Sequence, residues 1–156
     1  MSIIPNLERQ KSKSQEEIRK CQASIQKNEK AYEALRQFKQ VVENSRGSFN
    51  TINSNKITLL ADIQSIKNCK TAQKYYQGMK KVLSGIGVKI VGLAYGALLF
   101  SIAAKLNSYV NMIRQSENTM RSHERAAERT NALIVAERRA EQARAMTGAW
   151  VDEIYS

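Results

Sequence analysis

Val88-Lys-Ile-Val-Gly-Leu-Ala-Tyr-Gly-Ala-Leu-Leu-Phe-Ser-Ile-Ala-Ala-Lys-Leu-Asn-Ser-Tyr-Val-Asn-Met-Ile113 is the stretch on which the fold turns. Within it Val88, Gly92, Tyr95, Leu99, Ile102, Leu106, Tyr109 and Ile113 recur at alternating steps of four and three. The pattern runs on through Ser116, Met120, His123, Ala127, Thr130 and Ile134. A 4-3 repeat kept this long is the signature of one long helix with a coiled-coil-like seam. Its expected extent is 88–146, followed by a flexible tail over 147–156 that contains the only tryptophan, Trp150.

A second seam lies upstream, in Ile4, Leu7, Ile18, Cys21, Ile25, Tyr32, Leu35 and Val42, with polar interruptions at Lys11, Ser14, Asn28 and Lys39. It predicts a helix over about 5–46, with Pro5 tolerated in the first turn, where its missing N–H costs nothing. Asn44-Ser45-Arg46-Gly47-Ser48 reads as the stop signal. Between the two long helices, Ile57, Leu60, Ile63 and Ile66 recur in steps of three, which drift around a helix. A middle helix over 55–84, broken near 68–71, is therefore expected. Seven Gly and one Pro in 156 residues leave too few turn formers for a sandwich or barrel. The expected fold is all-α, a single helical domain over 1–156 forming an elongated hairpin or bundle.

Charge is concentrated in the middle. The chain carries a net +11, yet residues 44–116 hold ten basic groups and a single acid, Asp62. Such a segment favours an acidic protein, a phosphate-bearing partner or a membrane face. Lys67, Lys70, Lys74, Lys80 and Lys81, with Tyr75 and Tyr76 among them, could in principle join phosphate contacts to base stacking. No nucleic-acid reading module accompanies them, so a nucleic-acid partner ranks third among the readings.

Residues 82–106 raise the question of a membrane. The uncharged run Ile90–Ala104 is fifteen residues, or ~23 Å of helix against ~30 Å of hydrocarbon. Lys89 stands beside it. Gly92-Leu-Ala-Tyr-Gly96 has the spacing that lets two helix backbones approach closely, in lipid or in a soluble hairpin. Membrane association through 82–106 is the alternative to a protein-binding role. No secretory signal is readable at the N-terminus, so the expected location is the cytoplasm, or outside the cell by a route that needs no such signal.

Chemistry is hard to place. Cys21 and Cys69 lie far apart with no ligand-spaced neighbour and read as small buried hydrophobes. The single histidine, His123, occupies a seam position of the long helix. No nucleophile–base pair, phosphate loop or metal cluster can be assembled. The expectation is a non-enzyme without cofactors.

At Tyr76-Gln77-Gly78 the sequence resembles the Trp-x-Gly helical-hairpin superfamily of bacterial type VII secretion: a Lys/Gln/Glu-rich helix, an aromatic-x-Gly turn, and a long second helix. Within it, the chain is similar to the small helical proteins that accompany LXG-type antibacterial toxins. That resemblance implies a targeting chaperone or adaptor for the helical N-terminal domain of such a toxin, with Tyr76 and Gly78 forming the turn. Tyr76 stands where the superfamily has Trp, and no Tyr-x-x-x-Asp/Glu export signal follows the second helix, so the partner would supply it. Gly92 and Gly96 are then expected at a close helix crossing. Phe38, Leu98, Leu99, Phe100, Ile102, Leu106, Tyr109, Met112 and Ile113 are the candidates for the partner interface.

Overall fold

In the computed structural model, residues 3–66 and 69–154 are described, with side chains as far as Thr147. Among them the chain is an all-α helical hairpin: α1 spans Ile4–Gln64, α2 Lys70–Ser84 and α3 Ile86–Ile154. It divides into two compact units, Met1–Lys30 with Val110–Ser156, and Ala31–Tyr109.

In the first unit the start of α1 lies antiparallel to α3. The Arg138 guanidinium meets Glu8 at 2.8 Å, the Lys11 ammonium donates to Asn131 Oδ1 at 2.7 Å, and the Ser24 and Ser116 hydroxyls lie 3.3 Å apart. Ile134 is buried here, together with the polar Asn28 and Thr130; the Thr130 hydroxyl donates to the Ala126 carbonyl of its own helix. Lys20 bonds Glu17 at 2.8 Å, which holds the Glu17 carboxyl below its usual range and raises the Lys20 ammonium.

The second unit is more apolar. Val42 and Leu60 of α1, Leu83 of α2 and Ile102 of α3 are its buried hydrophobic residues. Phe49 and Tyr95 rings meet at 6.3 Å, and the Ser45 and Tyr95 hydroxyls lie 3.2 Å apart.

Several sequence expectations are corrected. The first helix does not stop at Asn44–Ser48 but continues to Gln64. The reason is packing. If the α1 seam is labelled a and d, it runs on from Val42 through Arg46, Phe49, Asn53, Lys56, Leu60 and Ile63. Phe49 against Tyr95 and the burial of Leu60 hold the segment helical, overriding the local preferences of Asn, Ser and Gly. No separate 55–84 helix exists. The reversal lies between Gln64 and Lys70, beside the interruption expected near 68–71, of which Asn68 is outside the described residues. Tyr76 and Gly78 therefore sit inside α2 and form no turn. At the far end α3 continues over 147–154 where a flexible tail was expected, and Tyr155 and Ser156 are outside the described residues. Cys21 is half-buried and Cys69 exposed, so only the first resembles the expected buried thiol.

Gly92 and Gly96 are not at a close crossing. A Cβ at either position has no neighbour within 4 Å. Beside them, the Phe49 and Tyr95 rings occupy the space between the helices and keep the backbones at side-chain distance. Gly92→Ala and Gly96→Ala should each stabilise the fold by up to ~1 kcal/mol, seen as melting points raised by ~2 to 4 °C. A lowered melting point in both would restore the close-crossing view.

Gly85 is different. It separates α2 from α3 with an extended backbone, φ −82° and ψ −173°, and a Cβ there would strike the Lys81 carbonyl oxygen. On the near side of the break Ala72, Tyr76, Met79 and Leu83 face α1; on the far side Val88, Gly92, Tyr95, Leu99 and Ile102 do. Carrying the α2 spacing past Leu83 would instead bring Ile86 and Ile90 onto the seam. The break rotates α3 so that those two point outward, at 77% and 58% exposure.

Candidate docking surface

In an antiparallel helix pair the positions flanking the seam meet like with like: e beside e on one side, g beside g on the other. The e side is polar where a contact marks it, Glu8 with Arg138. In the second unit the g side carries six large apolar residues, Phe38, Ile52 and Leu59 of α1, Tyr75 and Val82 of α2, and Leu98 of α3, with Ser45 and Lys105 as its polar members. All six are exposed.

Near the reversal this row borders a cavity of about 240 Å³ lined by Lys56, Leu59, Leu60, Ile63, Tyr75, Met79 and Leu83. Each helix contributes for a physical reason. Leu60 and Ile63 on α1, and Met79 and Leu83 on α2, are seam residues that leave a shallow gap between the helices. Leu59 and Tyr75, one position to the side, form its rim. The helix pair therefore offers an apolar furrow with a single cation, Lys56, in its lining. An incoming helix could seat a large apolar side chain there, the knob-into-hole mode of helix recognition.

The field around this furrow is positive. Residues 31–109 carry eleven Lys and Arg against three Asp and Glu. Lys80 lies over the Tyr76 ring at 5.5 Å and Lys105 over the Tyr109 ring at 5.3 Å, both pairs i,i+4 on their helices. Among the described residues no group of three His, Cys, Asp or Glu side chains converges.

The expected interface residues divide by exposure. Phe38, Leu98, Phe100 and Met112 are exposed. Leu99, Ile102, Leu106, Tyr109 and Ile113 belong to the seam of α3, half-buried or buried, and are already engaged inside the hairpin. Ile52, Leu59, Tyr75 and Val82 were missed by the sequence reading; for Ile52 and Leu59 the reason is that ending the first helix at Asn44–Ser48 discards the heptad phase that assigns them to g. The signal was present: continuing the 4-3 count from Val42 places Leu60 and Ile63 on the seam and Leu59 beside it. No family model matches the chain, and no curated protein or solved structure shows significant similarity to it.

Proposed function

We propose that the chain is a non-enzymatic binding partner for another helical protein, an adaptor or targeting chaperone, and that its partner is the helical N-terminal domain of an LXG-type toxin of type VII secretion. One observation carries the reading: the g side of the second unit bears six large exposed apolar side chains, Phe38, Ile52, Leu59, Tyr75, Val82 and Leu98, with a furrow beside them. Two helices with one apolar side are half of a four-helix arrangement, and a partner helix pair supplies the other half. Large apolar groups gathered on one exposed side mark an interaction surface more often than a free one. The positive charge of residues 31–109 disfavours a second copy of this chain and favours an acidic partner, chiefly through the rate of encounter. The identity of the partner rests on the sequence resemblance at Tyr76-Gln77-Gly78 alone, residues that lie inside α2 and form no turn.

Co-expression with the helical N-terminal domain of an LXG-type toxin tests this. The two should co-purify, with a melting point above that of either alone. Leu59→Asp with Tyr75→Asp should abolish co-purification, since a buried carboxylate without a partner is strongly disfavoured. The free variant should melt within a few degrees of the wild type, because both side chains are exposed. Absence of any complex between the unmutated proteins would sink the adaptor reading.

A further inference from the structure

We propose that the outward face of α3, from Ile86 to Ala104, is a docking site for an anionic lipid bilayer surface, separate from the g-side furrow. Ile86, Ile90, Leu93, Ala97, Phe100 and Ala104 repeat at 4-3 spacing on the side of the helix turned away from α1, and all are exposed, Leu93 at 74% and Phe100 at 78%. The helix contains an 18-residue window of mean hydropathy 1.9, and only 6% of that window is buried. No polar side chain interrupts the stripe over its ~27 Å length.

The ends of the stripe say what covers it. Lys80 and Lys81 precede it, Lys89 flanks its first turn and Lys105 follows it, and no Asp or Glu occurs between Asp62 and Glu117. At each end one ammonium lies over a tyrosine ring, Lys80 on Tyr76 and Lys105 on Tyr109. A lysine, an apolar stem tipped by a cation, straddles the boundary between acyl chains and headgroups, while the Tyr76 and Tyr109 rings lie on the hairpin seam. A protein interface would be expected to carry a polar rim of both signs that fixes register, and the only charged groups around this stripe are cations, Lys80, Lys81, Lys89 and Lys105. The bilayer must be met lying flat. The opposite side of the same helix is occupied by α1, with Ile102 buried in the hairpin, so the stripe can sink into the interface without opening the fold.

Vesicle co-sedimentation of the full chain tests this, using phosphatidylcholine vesicles with and without phosphatidylglycerol. The wild type should bind the anionic vesicles and be released from them progressively by NaCl. Leu93→Asp with Phe100→Asp should weaken that binding at least ~10-fold while the helical circular dichroism and melting point stay near the wild type. Lys80→Gln, Lys81→Gln and Lys105→Gln together should weaken it as well and flatten its salt dependence. Leu59→Asp with Tyr75→Asp should leave vesicle binding intact, which separates this site from the protein-docking furrow. Failure of the wild type to bind anionic vesicles at low salt overturns the proposal, as does equal binding by the Leu93→Asp/Phe100→Asp variant. If that variant instead loses a protein partner while the wild type ignores vesicles, the stripe belongs to a protein and the lipid assignment falls.

Discussion

Gly85→Ala should lower the melting point by ~5 °C or more, although it adds a single methyl group to the chain. With the break retained, the new Cβ overlaps the Lys81 carbonyl oxygen, an atom of the α2 backbone that cannot swing aside as a side chain would. The escape is for residue 85 to become helical and for α2 and α3 to fuse. A fused helix keeps the α2 phase, so Ile86, Ile90, Leu93, Ala97 and Phe100 would turn toward α1 while Val88, Tyr95, Leu99 and Ile102 would turn to solvent. For that stretch the exchange is close to even. Beyond it the same phase places Asn107 and Asn111 on the seam in place of Leu106, Tyr109 and Ile113, and apolar burial is lost. Strain on one route and lost burial on the other each cost ~2 kcal/mol or more, which converts to ~5 °C for a chain of this size. Gly47→Ala and Gly78→Ala, where a Cβ has no neighbour within 4 Å, should be neutral or stabilising in the same assay. Unchanged stability of Gly85→Ala would show that the break is not what sets the phase of α3.

The second large effect is expected at Ile102, at 4% exposure among the most buried side chains of the second unit. Ile102→Ala removes contacts from a seam only two helices deep, at a cost of ~2 to 4 kcal/mol. Ile102→Asp should abolish cooperative melting, because the carboxylate must either stay charged in an apolar seam or force the helices apart. Leu93→Ala, nine residues earlier on the same helix, should change stability by less than ~0.5 kcal/mol. Urea denaturation of the three variants makes the comparison. A loss at Leu93 equal to that at Ile102 would mean that the two faces of α3 are assigned the wrong way round.

How much of this was legible depended on whether the apolar pattern stayed in phase. From Val88 to Ile134 every residue of the 4-3 series is half-buried or buried, and the pattern alone identified the whole seam of α3. In α1 the same rule applied, but four polar residues looked like gaps in the seam. Lys11, Ser14 and Lys39 are half-buried and Asn28 is buried, so they are members of it. Local signals failed at Asn44–Ser48 and at Gly78, where residues that suit turns are carried inside helices by neighbours distant in sequence. The converse held at Gly85. There a glycine did mark a break, in the gap between the expected helices over 55–84 and 88–146, because only a residue without a Cβ fits beside the Lys81 carbonyl. The docking surface was partly legible: Phe38 and Leu98 were among the expected interface residues, whereas Ile52 and Leu59 needed the uninterrupted α1 to reveal their side.

The first unit joins α1 to α3 through contacts for which water competes well. Glu8 with Arg138 and Lys11 with Asn131 are exposed pairs, worth little to stability singly. Ser24 opposite Ser116, and the buried Asn28, place polar groups where other seams carry leucine. Such a segment opens locally at a small fraction of the free energy needed to unfold the apolar part of the hairpin. Backbone amides of residues 4–30 should therefore exchange with solvent sooner than those around Val42, Leu60 and Ile102, and a protease added to the native protein should trim from that end. The susceptibility would be a property of the seam's composition and would persist however tightly residues 31–109 were held by something else.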